Sequence, residues 1–406
     1  YPLRRQRQMC IRDRYMGGGK MNSVLSKYVK DYYEEGKADL FSVFMQMGME
    51  RLVDGGKMAQ INMQSWMFLS SFEKLRTQFL THYNIDNMLH LGPRTFDELS
   101  GEVVQNTAFV LSKHEPSEQG GVYYRLVDGK NCADKERLFI EAKQGNGTAI
   151  INSKSYTVNY PNVEQKNFEK IPGCPIGYWV NENIFNIFAG NTPISNYSTA
   201  RSGFSTGNNE LFIRTWNEVS FKSIGLELNS NDEYIKSGLK YVPFTAGGSF
   251  RKWYGNQNNV VDWTCPENMH RPRTTYMGLY YKPAITWNAI TSGILSCRAY
   301  GHGFLFEHAA ASLFVNEGYD SCYFLAYINT PVFRYLLKVL NPTLNNGAEV
   351  VSSVPIVFSE ADICCYVEEN ISISKQDWDA HETSWDFQRN ELLSIDTSTY
   401  TAVSYT

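Results

Sequence analysis

The 406 residues are 43% hydrophobic and 20% charged, the balance of an ordinary soluble globular protein with enough length for two or three domains. No apolar run approaches the roughly 20 residues that a membrane-spanning helix needs, so no membrane association is expected. The net charge of −4 hides an asymmetry: residues 1–14 are strongly basic and residues 15–406 correspondingly acidic, so a nucleic-acid partner would have to be met by local basic patches.

"YPLRRQRQMCIRDR" (1–14) has no apolar periodicity, and its MCIRDR string resembles translated sequencing-adapter sequence. The other reading is a basic N-terminal arm; either way these residues are set apart as non-native to the fold. With arginines but no apolar core, this stretch is not a secretory signal. The eight cysteines form no C-x-x-C pair, and the histidines show no metal-ligand spacing. Reduced thiols, a cytoplasmic protein and no metal site are therefore expected.

From Tyr15 the pattern alternates. Residues 21–34 predict a helix with Val24, Leu25, Tyr28 and Val29 on one face. Asp39 to Leu52 predicts a second helix, capped by Asp39 and stopped by Asp-Gly-Gly at 54–56. "KMAQINM" (57–63) predicts a strand and "QSW" a loop. A helix over Ser71–Leu80 and strands over 87–92 and 102–113 follow. Helix and strand in this order predict a parallel, doubly wound α/β sheet. The last two strands have no helix between them, so the final one is expected to pair antiparallel at the sheet edge. Residues 15–142 thus form one domain, a Lys/Asn/Ser-rich stretch at 143–170 reads as a linker, and 171–406 as a second, mixed α/β domain rich in Trp, Tyr, Asn and Gly. The closing "TYTAVSYT" has neither cap nor charged tail and reads as a cut end.

Tyr15 before a glycine-rich turn, then "GKADLFSVF" (36–44), "LVDGGKMAQINMQSW" (52–66) and "VVQNTAFVLSK" (103–113), resembles the second half of gamma-class DNA adenine-N6 methyltransferases. The resemblance is to the BREX phage-defence (PglX-type) and type IIG restriction-modification members. It implies the second half of a class I (Rossmann-like) methyltransferase sheet, S-adenosyl-L-methionine as cofactor, and double-stranded DNA and other defence-system subunits as partners. The glycine-rich cofactor loop of that family would lie before Tyr15, so this stretch by itself is expected to be inactive.

In that family an Asn-Pro-Pro-Tyr or Asn-Pro-Pro-Phe motif supplies the catalytic residues. Tyr15 stands at its aromatic, but Arg-Asp-Arg fills positions 12–14. The motif answers a chemical need: the adenine N6 lone pair is delocalised into the ring, and acceptors must hold the amine hydrogens so that it can face the sulfonium methyl. The aromatic stacks on the flipped base, returning roughly 1–3 kcal/mol of the flipping cost. The resemblance further places Phe44 and Asp39 at the cofactor, Phe44 against its adenine ring, and Trp66 and Phe109 around the base pocket. From the residues alone, Phe44 reads as helix core with Leu40 and Phe41, and Trp66 and Phe109 as packing.

The segments 202–219, 251–263, 285–293, 299–314 and 339–356 resemble, in order, this family's target-recognition domain. There Arg251, Lys252, Arg271, Arg273, Lys282 and Arg298 interleave with Trp253, Tyr254, Tyr276 and Tyr280. Basic side chains of this kind hold phosphates while Asn, Gln and Arg read base edges; the plain alternative is a solvated surface over an aromatic core. The competing function is a DNA-binding specificity module without catalysis. A Trp/Tyr-rich carbohydrate-binding protein is a third reading, disfavoured by the missing signal peptide.

Overall fold

The computed structural model describes residues 16–96, 104–291, 293–359, 362–390 and 393. The chain divides into two compact units: one runs to Gly190 and includes Val339–Pro342, the other holds Asn191–Lys338 and continues from Thr343. No helix among the described residues is long and apolar enough to cross a membrane.

The first unit opens with α1 (Ser23–Tyr32), whose cap Asn22 accepts the N–H of Leu25 at 2.8 Å. Of its expected apolar face only Val29 is buried; Val24, Tyr28 and Tyr32 are exposed. In α2 (Leu40–Glu50) Asp39 is the cap, as the sequence predicts. Gly36 is required ahead of it, because a Cβ there would lie 2.8 Å from the Ser42 carbonyl oxygen. β1 (Lys57–Met63), α3 (Glu73–His82), β2 (Asn84–Pro93) and β3 (Gln105–Ser112) follow at the expected places.

β3 is antiparallel, but it does not form the edge. It lies between β1 and β2 and pairs with both, from Lys57↔Ser112 to Met63↔Asn106 on one side and Asn84↔Ser112 to Pro93↔Gln105 on the other. Its burial explains the placement: Asn106, Thr107, Phe109, Leu111 and Ser112 are all covered, which suits an interior strand.

The sheet then extends beyond the expected boundary. β4 (Gly121–Arg125) runs parallel to β2, and β7 (Asn159–Val163) closes the far edge antiparallel to β4. Between them lie α4 (Cys132–Gln144) and the hairpin of β5 (Thr148–Ile151) with β6 (Lys154–Thr157). The stretch 143–170 is therefore structure, not linker. Gln165 within it accepts the N–H of Ile85 and donates to the carbonyls of Leu80 and Tyr83, all buried. Residues 171–180 also belong to this unit: Ile171, Ile176 and Tyr178 are buried, and Tyr178 stacks on Tyr123 at 5.0 Å. The boundary accordingly moves from 170/171 to 190/191. Lys135 of α4 fastens the helix by donating to the carbonyls of Leu91, Leu126 and Gly129.

The second unit holds two four-stranded sheets. One pairs β9 (Ile213–Thr215), β11 (Asn259–Asp262), β10 (Tyr241–Thr245) and β14 (Leu305–Phe306); the other pairs β8 (Ser198–Arg201), β15 (Ala310–Val315), β12 (Ala284–Asn288) and β13 (Cys297–Tyr300). Large aromatics fill its core, among them Phe204, Phe244, Trp263, Tyr280, Tyr281 and Phe306. Short strands suit such a core, since each buries one or two bulky rings. α5 (Ser321–Ile328) and α6 (Cys364–Asp379) are helices of this unit.

Candidate active site and DNA-contact residues

Ligands of open α/β sheets bind beyond the carboxyl ends of parallel strands. At that end of β1 and β2, four side chains form one directed hydrogen-bond chain. The Tyr178 hydroxyl donates to His90 Nδ1 at 2.9 Å, His90 Nε2–H donates to Gln64 Oε1 at 2.7 Å, and the Gln64 amide donates to Gln105 Oε1. An amide oxygen can only accept, which puts the imidazole proton on Nε2. Burial, with Arg125 and Lys135 nearby, pushes the His90 pKa down to about 3, so the ring is neutral at physiological pH.

The loop after β1 is held from below as well. Arg76 of α3 is 1% exposed; its Nη1 donates to the carbonyls of Trp66 at 2.8 Å and Leu69 at 2.6 Å, and its Nη2 to Gly173 at 2.6 Å. Burial lowers its pKa to about 10, which leaves it charged at neutral pH. Asn106, on the other face of β3 from Gln105, is buried with both amide atoms lacking a hydrogen-bond partner. Sequence reasoning alone misses Gln64, His90, Gln105, Asn106 and Tyr178. The only signal is the position of Gln64 and Gln105 at strand ends.

Tyr15 lies outside the described residues. The residues directly after it are tied to the start of α2: Asp39 Oδ1 accepts the Met16 N–H at 3.1 Å, Leu40 N–H bonds the Met16 carbonyl at 3.1 Å, and Gly18 N–H the Ala38 carbonyl at 2.9 Å. Asp39 Oδ1 also accepts the Phe41 N–H at 3.2 Å. Burial raises its pKa against these hydrogen bonds. That oxygen is committed to backbone, so Asp39 fits a positioning role better than a direct hold on a cofactor. Phe44 is half-buried on the same helix.

Trp66 and Phe109, expected at a base pocket, instead meet each other edge-on with centroids 5.1 Å apart, and Trp66 also meets Phe79 edge-on at 5.5 Å. They are 0% and 2% exposed, Phe109 packing on Trp66 and Trp66 in turn on Phe79 of α3. A separate pocket of this unit, about 520 Å³, is lined by Asp54, Gln78, His82 and Lys113. It lies at the opposite end of the sheet, remote from the strand ends that carry Gln64 and His90.

Of the six basic residues expected to contact DNA, Arg271 and Lys282 are exposed. Arg251 is half-buried and bonds Asp377 at 2.7 Å while lying 5.0 Å over the Trp378 ring. Lys252 donates to the Asn329 carbonyl at 3.4 Å, and the Arg273 guanidinium sits 5.7 Å over Tyr276. Arg298 corrects the expectation. It is 1% exposed on β13, bonded to the Ala246 carbonyl and Asn288 Oδ1 at 3.2 Å each, so it braces the interior rather than facing a phosphate. Tyr280 likewise belongs to the core.

Residues 15–96 match the family described as Eco57I restriction-modification methylase. The chain is 37% identical over 393 residues to the adenine-specific methyltransferase PglX of Lacticaseibacillus casei (strain Zhang), covering 93% of this chain and 32% of that protein. It is 33% identical over 387 residues to the adenine-specific methyltransferase BrxX of Escherichia coli O9:H4 (strain HS), covering 93% and 30%. Among solved structures it is similar in fold to the Type IIL restriction-modification enzyme MmeI in complex with DNA, at TM-score 0.55 and 10% identity, over 92% of this chain and 49% of that one. The chain spans about a third of the length of the curated relatives it matches. By these matches 93% of the chain is similar to the adenine-specific methyltransferases PglX and BrxX, and its residues 15–96 match the Eco57I restriction-modification methylase family.

Proposed function

We propose that this chain is the later catalytic half and the target-recognition region of a DNA adenine-N6 methyltransferase serving phage defence or restriction-modification. The similarity to PglX and BrxX over 93% of the chain carries the reading. The topology supports it in part: β1 and β2 run parallel and the last strand of the series, β3, is antiparallel, though it lies between them and not at the edge.

S-adenosyl-L-methionine, when bound, supplies an electrophilic methyl group. The chain's own residues bind and orient. Tyr15 stacks on the flipped adenine, Phe44 offers a ring face to the cofactor, and Asp39 fixes the backbone directly after Tyr15 to the start of the helix that bears Phe44. The Tyr178–His90–Gln64–Gln105 chain holds the loop after β1 rigid at the strand ends. Trp66 and Phe109 support that loop from the core instead of touching the base. Arg251, Lys252, Arg271, Arg273 and Lys282 hold phosphates of double-stranded DNA, Arg251 after exchanging Asp377 for a phosphate oxygen.

A DNA-binding module without catalysis is the second reading, favoured by Arg-Asp-Arg at 12–14, where the family carries Asn-Pro-Pro. Expressing the gene that carries this chain in a host without adenine methylation, and mapping N6-methyladenine, separates the two. Modification at one sequence motif, abolished by Tyr15→Ala, is expected; unmodified DNA that the protein nevertheless binds would favour the second reading.

A further inference from the structure

The second unit carries a cluster that the proposed function does not use. Asp320, Cys322 and Cys364 bring one carboxylate oxygen and two sulfurs within 4.8 Å of one another. Asp320 caps α5 through Oδ1, which accepts the Cys322 N–H at 2.8 Å, and its Oδ2 accepts a hydrogen bond from the Cys364 thiol. Cys322 lies in the first turn of α5 and Cys364 is the first residue of α6, so both thiols sit at helix N-termini. A cavity of about 340 Å³ lies alongside, lined by Cys322, Leu325 and Tyr319 together with Ile371 of α6.

We infer that Asp320, Cys322 and Cys364 form a site for a soft divalent transition-metal ion of the zinc class, pinning α6 to α5. Zn–S bonds of about 2.3 Å require ligand atoms roughly 3.8 Å apart in a tetrahedron, so the widest pair contracts by at most about 1 Å, while Cys364 Sγ and Asp320 Oδ2, hydrogen-bonded here, move apart to bracket the ion. Two thiolates and a carboxylate are the donor set such ions select over magnesium or calcium. Binding replaces the two thiol protons, which pass to solvent, and leaves the fourth position to water from the adjoining cavity. Local spacing in the sequence gives no hint of the site, because its ligands come from two helices separated by most of α5 and the segment beyond it. α6 also presents Asp377 and Trp378 to Arg251, so the ion would steady a helix that competes with DNA phosphate for that arginine.

The test is titration of the reduced 406-residue chain with Co²⁺, then Zn²⁺ competition against a chromophoric chelator. One equivalent bound, with thiolate-to-cobalt charge-transfer absorption, is expected. Cys322→Ser and Cys364→Ser should each abolish that band and weaken zinc binding by at least about 10–100-fold, the range seen even for outer-shell partners. Absence of the band, or its persistence in both variants, overturns the inference. Alkylation of the unmodified chain, read by peptide mass spectrometry, guards against misfolded variants. Zinc should slow alkylation of Cys322 and Cys364 more than tenfold while exposed Cys132 and Cys265 react as before. Equal rates with and without zinc, or a Cys322–Cys364 disulfide that peroxide forms as fast with zinc as without, contradict it.

Discussion

Asp39 Oδ1 accepts the backbone N–H of Met16 across 23 residues of chain, at 3.1 Å, while the same oxygen caps its own helix. One carboxylate therefore sets both the start of α2 and the path of the chain directly after Tyr15. Asp39→Ala removes both bonds and should cost about 1 kcal/mol, the usual loss for an N-cap. Asp39→Asn keeps an acceptor and should retain most of that stability. Denaturant unfolding measures the difference. In a methylating protein, Asp39→Ala is expected to lower turnover more than Asp39→Asn.

His90 makes stability depend on pH. Its folded pKa of about 3 lies far below the ordinary imidazole value of 6.5, so the folded state resists a proton that the unfolded chain accepts. Stability is fully present above pH 6.5 and is lost as pH falls toward 3. Thermal melts at pH 7.5 and 5.5 should show a drop in the native protein. His90→Gln, which cannot take up a proton, should flatten that drop while lowering Tm at both values. An unchanged slope in the variant would count against a buried neutral imidazole.

Arg76 serves three carbonyls from two segments distant in sequence. Arg76→Met fills similar volume but leaves those buried acceptors unpaired, at about 1–3 kcal/mol for each. A loss of at least about 3 kcal/mol in equilibrium unfolding is expected, with proteolysis opening first between residues 64 and 70. Arg76→Lys, reaching fewer acceptors, should fall between.

Arg251 and Arg298 should separate DNA contact from folding. Arg251→Ala is expected to weaken duplex DNA binding and reduce the log–log salt slope by about 1, with little change in Tm. Asp377→Ala, which releases Arg251, should strengthen binding. Arg298→Met should alter Tm and leave the salt slope unchanged, because the guanidinium is buried. Electrophoretic mobility shift across a salt series reads all three.

Strict period and clear stop signals make the early elements legible: β1 matches the span 57–63, and Asp39 is the cap that its position before an apolar run predicts. The interior position of β3 is not legible, since strand order is set by long-range pairing that no local pattern encodes. β4 and β7 are hidden for a related reason. Tyr123 and Tyr124, or Asn159 to Val163, are too short and too polar to stand out from the turns around them. Trp66 and Phe109 have the right residue types for a base pocket, but local sequence does not tell an aromatic that lines a pocket from one that packs inward, as these do on each other and on Phe79 of α3. Arg298 reads as a surface cation in sequence and is buried because backbone and Asn288 oxygens, not a carboxylate, receive it.

Whether Tyr15 is the catalytic aromatic can be decided by sequencing source DNA across codons 12–15. Asn-Pro-Pro codons immediately before Tyr15 are expected, giving the amine the acceptors that methyl transfer requires. If Arg-Asp-Arg is encoded there, the Asn side chain and Pro carbonyl of the motif do not precede Tyr15, and adenine methylation through that motif is contradicted.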